Sequence, residues 1–364
     1  MKVATILGTR PEMVKLSSLM PLLEQEPETQ HIVIHTGQHY DYSMDKVFFE
    51  ELKLKEPNYK LNIGSHSQGK QTGLMLEKIE EIMIKEKPDL VLVQGDTNST
   101  LAGALTAAKL QIKIMHIEAG CRSFNRAMPE EVNRVVADHI ADYLVAPDKN
   151  SYNNLIAEGI DKERIYLLGS TSFDAVKRNE KLVDKENALD KLLVTKDNFV
   201  LVTIHRAENT NNIIVLKQIL SALNQLAEKI NFVFPMHPRT KKIIEDNKLQ
   251  INKSIKVIEP QPYLSFLALL SSCRFCLTDS GGIQEEALAF NVPCLICREE
   301  TEWMRLVEAG KNILVGTQTE KIVAEINKLL SDEELQKIKR IDYGFDLDVS
   351  NKIIEIIKNV GVIK

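Results

Sequence analysis

Gly95-Asp96-Thr97 closes the apolar run 90–94, and Glu118-Ala119-Gly120 closes the run 114–117, so two carboxylates stand at the ends of two apolar segments. Further along, Pro129-Glu130-Glu131-Val132-Asn133-Arg134 opens a helix-like segment, with proline where a helix does not need its N–H. Carboxylates gathered at strand and helix ends, Asp96, Glu118 and one of the Glu130-Glu131 pair, are suited to general acid/base work, because burial and mutual repulsion push their pKa values apart. Acidic residues in a first helical turn also serve as plain dipole partners, and for Glu130 that reading stands beside the catalytic one. The spacing of these carboxylates offers no recognisable ligand set, so no metal is expected here.

A second group of residues suits an anion. Gly8-Thr9-Arg10-Pro11-Glu12 follows an apolar run and leads into a helix, which sets Arg10 at a positive helix end. The loop is neither GxGxxG nor a Walker loop, so nicotinamide and P-loop ATP chemistry lack support. In the second half, His205-Arg206-Ala207-Glu208-Asn209, His237-Pro238-Arg239 and Asp279-Ser280-Gly281-Gly282 each follow an apolar run. Ser280, Gly281 and Gly282 running into a helix form a candidate phosphate cradle, since glycine permits close backbone approach. Glu286, one turn on, is placed to accept hydrogen bonds from ribose hydroxyls. A lone Ser-Gly-Gly or a single histidine is more often structural, so the ensemble carries the argument.

These residues need elements to hold them. The 364 residues suggest two domains, and a net charge of −5 is not the footprint of a nucleic-acid binder. Hydrophobic content of 44% with 27% charged residues is that of a globular protein, and no apolar run is long enough to span a membrane, so a cytoplasmic protein is expected. Short apolar runs near 3–7, 32–35, 90–94, 114–117, 143–146, 165–168, 199–204, 232–235, 256–258, 275–278, 293–296 and 313–315 alternate with helical stretches such as 11–24, 68–85, 99–110, 129–139, 215–228 and 282–290. Continuously apolar strands separated by helices predict parallel sheets covered on both faces. The expected fold is α/β: two Rossmann-like domains facing a cleft, with ligands at the carboxyl ends of the strands and the C-terminal helix packing back on the first domain. The expected boundaries are 1–178 with 345–364, a charged linker at 179–198, and 199–344. Cys273, Cys276, Cys294 and Cys297 have zinc-ribbon spacing. Strand positions i and i+3 face opposite ways, however, so they are expected to be small core residues and not metal ligands.

Taken in order, the segments Gly8–Glu12, Gln94–Thr97, His116–Gly120, Pro129–Arg134, His205–Asn209, His237–Thr240 and Asp279–Glu286 closely resemble the non-hydrolysing UDP-N-acetylglucosamine 2-epimerases. The resemblance runs from about residue 3 to about residue 316. It implies the glycosyltransferase-B-like fold, a homodimer, no cofactor, and interconversion of UDP-GlcNAc and UDP-ManNAc by elimination and re-addition of UDP through a 2-acetamidoglucal. By position in the motifs it also implies that Asp96, Glu118, Glu131 and His205 act at the sugar, with Glu118 and Glu131 as base and acid. Arg10, Lys15, Gln261, Tyr263, Phe266, Ser280, Gly281, Gly282 and Glu286 would then bind the UDP-sugar. Gln38, Arg206 and His237 match an allosteric site of some bacterial members, whereas Asp41 and Lys70 depart from it. In the segment Arg298–Arg305, Trp303 follows Glu302 where an arginine is usual. That form looks like the branch acting on UDP-2,3-diacetamido-2,3-dideoxyglucuronic acid, which stands as an alternative substrate. A glycosyltransferase of the same fold and a hydrolysing epimerase that releases free sugar are the alternatives in reaction type.

Overall fold

The computed structural model describes residues 1–38, 42–301, 303–344 and 348–362. Asp41 and Glu302 lie outside the described residues, as do 345–347 and 363–364 of the expected C-terminal segment.

The chain divides into two compact units, residues 1–179 with the C-terminal helix Val349–Val362, and residues 180–344. In the first unit, β1 (Lys2–Leu7), β2 (Gln30–His35), β3 (Tyr59–Lys60), β4 (Leu90–Gln94), β5 (Lys113–Ile117), β6 (Tyr143–Ala146) and β7 (Ile165–Leu167) form one sheet in the order β3-β2-β1-β4-β5-β6-β7. Every pairing is parallel. In the second unit, β8 (Phe199–Thr203), β9 (Asn231–Pro235), β10 (Lys256–Ile258), β11 (Phe275–Thr278), β12 (Cys294–Ile296) and β13 (Asn312–Leu314) form a parallel sheet in the order β10-β9-β8-β11-β12-β13. Both orders reverse direction once, between β1 and β4 and between β8 and β11. At such switch points the connecting helices leave for opposite faces, which opens a crevice at the carboxyl ends of the strands. The loops after β1, β4, β8 and β11 carry four of the seven motifs.

Alternation along each strand builds the core. Ala4, Ile6, Val91 and Val93 enter one apolar cluster of the first unit, and Val3, Leu7, Leu90 and Leu92 enter the cluster on the other face. Val349, Ile353, Ile354 and Ile357 of the C-terminal helix join Leu19 and Leu23 in the latter, so the last helix covers the first sheet. The second unit repeats the scheme, with Val200 and Val202 on one face and Phe199 and Leu201 on the other. No helix among the described residues is long and apolar enough to cross a membrane.

Cys273, Cys276, Cys294 and Cys297 are all buried and free. Cys294 and Cys297 enter clusters on opposite faces of the sheet, as alternation requires. Cys273 departs from the expected strand placement. It caps the end of helix Tyr263–Ser272 and shares a cluster with Cys276, because β11 begins only at Phe275. Helix 11–24 is also not continuous: it breaks at Ser17 and Ser18, where the Ser17 hydroxyl donates to the Val14 carbonyl at 2.7 Å. The charged stretch expected as linker contains a helix, Lys185–Lys191, with Leu189 and Leu192 packed on the second unit's core.

Candidate active site

The first unit holds a cavity of about 370 Å³ at the carboxyl ends of its strands, and Glu12, Lys15, Gln38, Asp96, Glu118 and Glu130 are among its lining residues. Asp96 and Glu118 come together there because β4 and β5 are paired neighbours that end in register, Gln94 opposite Ile117. Glu118 adopts φ +68°, a left-handed conformation rare for a residue with a side chain. Its carboxylate accepts from the Lys15 ammonium at 2.5 and 2.7 Å and from Gln94 Nε2 at 2.6 Å. The turn closes at Gly120, with φ +83°, where an added Cβ would lie 2.3 Å from the Ser151 carbonyl oxygen. Gly120→Ala should therefore cost about 3 kcal/mol of stability, since both the torsion and the close backbone approach oppose a side chain; urea unfolding of the variant beside the parent measures it.

Glu12 supports the same cavity from beneath. Its buried carboxyl accepts from the Gly8 and Thr9 amides at 2.9 and 2.8 Å, from the Thr9 hydroxyl at 2.8 Å, and from the Thr97 hydroxyl at 2.8 Å. One side chain thus ties the loop after β1 to the loop after β4. Burial raises its pKa and those hydrogen bonds offset only part of the rise. Asn133 Nδ2 donates to the Asp96 carbonyl at 3.0 Å and to Asn98 Oδ1 at 3.1 Å, fixing the loop that presents Asp96.

Glu131 is placed differently from the expectation. It does not line the cavity; its side chain is 3% exposed. It accepts from the Ser123 amide at 2.9 Å, the Ser123 hydroxyl at 3.0 Å, the Phe124 amide at 2.9 Å and Arg134 at 2.9 Å. Burial opposes ionisation, but these donors outweigh it and lower the pKa, so the group is a firmly held anion. Its neighbour Glu130 faces the cavity instead. Arg134 links the two sites, donating to Glu131 and forming an ion pair with Asp96. Arg10 also stays off the cavity wall, with its guanidinium 4.7 Å from the centre of the Phe48 ring.

In the second unit, Asp279 organises the turn after β8. Its carboxylate accepts from the His205 amide at 3.1 Å, the Arg206 amide at 3.0 Å and Asn209 Nδ2 at 3.0 Å. The His205 ring lies 3.5 Å from Asp279 and 6.4 Å from the His237 ring. Burial lowers the His205 pKa; Asp279 pulls it back in part, while His237 and Arg206 push it further down. Ser280 stands at the N-terminus of helix Gly281–Ala289, with its amide donating to the Thr278 hydroxyl at 3.0 Å. A Cβ built on Gly282 meets nothing within 4 Å, so the space over this helix end is open. Gln261 donates to the Glu259 carbonyl at 2.8 Å, Tyr263 begins the next helix, and Phe266 packs partly against the core. Glu286 is half-buried on the Gly281–Ala289 helix. Trp303 is half-buried too, with the Arg305 guanidinium 4.9 Å from its ring centre, so it is not a core residue.

Of the residues matching an allosteric site, Gln38 lies in the first unit, where its Oε1 accepts from the Ser99 amide at 3.1 Å and hydroxyl at 2.9 Å. His237, in the second, caps its own helix by accepting from the Arg239 amide at 3.2 Å. Sequence reasoning assigned no role to Glu12, Gln94, Asn133 or Arg134. The signal for Gln94 was present: it is the one polar residue closing an otherwise apolar strand, LVLVQ. Among the described residues, no group of three or more His, Cys, Asp or Glu side chains is arranged to hold a metal.

The family model described as UDP-N-acetylglucosamine 2-epimerase matches residues 22–358. A UDP-N-acetylglucosamine 2-epimerase of Methanococcus maripaludis is 49% identical, over 90% of this chain and 92% of its own. A UDP-2,3-diacetamido-2,3-dideoxy-D-glucuronate 2-epimerase of Pseudomonas aeruginosa is 41% identical, over 92% of this chain and 94% of its own. Among solved structures, the Methanocaldococcus jannaschii UDP-GlcNAc 2-epimerase in complex with UDP-GlcNAc and UDP superposes with a TM-score of 0.85 at 46% identity, covering 99% of this chain and 100% of that one. The chain belongs to the UDP-N-acetylglucosamine 2-epimerase family.

Proposed function

We propose that this protein is a non-hydrolysing isomerase that inverts C2 of UDP-GlcNAc to give UDP-ManNAc, acting in the cytoplasm as a homodimer and without a cofactor. The observation that carries the reading is the meeting of Asp96 and Glu118 in one cavity at the ends of adjacent strands. The C2 proton is barely acidic, so a carboxylate must take it while negative charge develops on departing UDP. Glu118, held by Lys15 and Gln94, is assigned as the base. Asp96, oriented by Arg134, is assigned the opposite face of the sugar, with Glu131 acting through Arg134 on Asp96. The second unit is assigned the nucleotide: the Ser280-Gly281-Gly282 helix end and His205 for the diphosphate, Glu286 for the ribose, and Gln261, Tyr263 and Phe266 for the base.

The lining charges bear on the choice of sugar. Glu12, Asp96, Glu118 and Glu130 line the cavity with Lys15 as the one lysine or arginine among its described lining residues; Lys15 is engaged by Glu118, and Asp96 is paired with Arg134 behind it. A wall of this sign suits a neutral N-acetylamino sugar and repels the additional carboxylate of a uronate. The test is an NMR time course in D₂O with UDP-GlcNAc and, separately, the diacetamido uronate. The expected result is UDP-ManNAc carrying deuterium at C2, formed faster than any uronate product. Free sugar as the main product would make the enzyme hydrolysing, and product without C2 deuterium would remove the base from the mechanism. Turnover that requires an added acceptor would mark a glycosyltransferase.

Gly282→Ala separates ligand contact from folding. The added methyl meets no protein atom, so melting should match the parent. It would still intrude on a phosphate lying against the helix end, and calorimetry should show UDP binding weakened on the order of tenfold, roughly 1.4 kcal/mol.

A further inference from the structure

His116, on β5, is fully buried behind Glu118, and both its ring nitrogens are engaged. Nε2 lies 2.7 Å from the Gly95 carbonyl oxygen, and Nδ1 lies 2.7 Å from Asp138 Oδ1. A carbonyl only accepts, so Nε2 carries a hydrogen. The other Asp138 oxygen accepts from the Gly120 amide at 3.1 Å and lies 2.7 Å from the Arg122 guanidinium. These partners can only donate, so that oxygen carries no hydrogen. The positive charge of Arg122 against it favours Asp138 as an anion, with the hydrogen shared with Oδ1 on the ring Nδ1. The pKa directions agree. Burial opposes the charge on His116, but Asp138, the Gly95 carbonyl and Glu118 outweigh it and raise its pKa. Burial likewise opposes ionisation of Asp138, and His116 and Arg122 outweigh it and lower its pKa. Arg122 is in turn held by Glu158 through two hydrogen bonds of 2.7 Å, so the buried charges alternate in sign and none stands uncompensated.

The two oxygens of Asp138 therefore grip His116 and Gly120, which flank Glu118 two residues to either side. Glu118 sits between them at φ +68°, a conformation that persists only where its surroundings impose it. Through Nε2 the same ring holds the carbonyl of Gly95, next to Asp96. We propose that His116 is a positioning residue of the active site, a buried imidazolium that with Asp138 holds Glu118 in its strained turn and ties that turn to the loop bearing Asp96. The inference rests on the assignment of Glu118 as the base.

Two measurements test it. In protein labelled with ¹⁵N-histidine, His116 should show both ring nitrogens protonated at about pH 7.5, where an ordinary histidine is mostly neutral. A neutral tautomer overturns the proposal. His116→Gln removes the charge and cannot serve both partners; Asp138→Asn keeps the shape and removes the anion. Each should lower kcat for UDP-GlcNAc on the order of 10- to 100-fold while KM stays within about threefold, as misplacement of a base requires. A residue that only stabilises the fold would lower the melting temperature and leave kcat per UDP-binding site unchanged, and that result in either variant defeats the proposal. Should His116→Gln fail to fold, Asp138→Asn and the spectrum of the parent carry the test. Glu118→Gln is assayed alongside: an inactive Glu118→Gln with parent-like His116→Gln defeats the inference alone, whereas an active Glu118→Gln defeats the base assignment and the inference together.

Discussion

Glu118→Gln should lower turnover of UDP-GlcNAc by 10²–10⁴-fold, roughly the contribution of a positioned general base, while UDP binds as tightly as to the parent. The amide keeps the size of the side chain and can still accept from Gln94, so the turn should survive. It cannot take a proton from carbon. Glu131→Gln should behave differently, because its carboxylate is saturated by Ser123, Phe124 and Arg134. An amide there brings two hydrogens against groups that already donate, so the loop at residues 122–124 should loosen and melting should fall along with activity. Melting, UDP calorimetry and single-turnover rates on the two variants separate a lost base from a lost loop anchor. Parent-like turnover in Glu118→Gln would remove the base from the scheme.

The pairing of Asp96 with Glu118 was legible in the sequence because the information is local: each closes an apolar run, and paired parallel strands bring their ends together. The direction of Glu131 was not. Glu130 and Glu131 are successive residues on one helix, and which faces the cavity depends on the rotation of that helix and on two amides of a loop several residues upstream. The Lys15–Glu118 ion pair joins residues 103 apart, a relation that spacing does not encode. The same division holds for the fold. Strands of three to six residues announced themselves by apolar composition, whereas β3 is two residues long and exists only because Ile34 and His35 offer it partners. The break at Ser17 and Ser18 was signalled by two small hydroxyl residues within an apolar helical pattern, since their side chains compete for backbone carbonyls. The charged stretch 185–191 folds as a helix because Leu189 within it and Leu192 at its end find a core to cover.

Acid should destabilise the first unit through two histidines of β2. His31 and His35 are buried, and burial with the added charge of Lys55 or Lys60 lowers each from 6.5 to about 4. The unfolded chain binds these protons near pH 6.5 and the folded unit does not until about pH 4. Their stabilising contribution is thus complete above pH 6.5 and is lost as pH falls towards about 4, amounting to roughly 3 kcal/mol for each histidine. Glu12 works in the opposite sense, because a buried carboxyl with a raised pKa gains from protonation, and it offsets part of the loss. The single tryptophan, Trp303, belongs to the second unit. Far-UV circular dichroism should therefore show an acid transition below about pH 6 that tryptophan fluorescence does not share. His31→Gln and His35→Gln, which cannot titrate, should each flatten the dependence of urea stability on pH by about 1.4 kcal/mol per pH unit within that window. An unchanged slope in both variants would mean that the two rings take up protons in the folded unit as readily as in the unfolded chain, and acid lability would then have to come from the buried anions Asp138 and Glu131 losing their donors' complement.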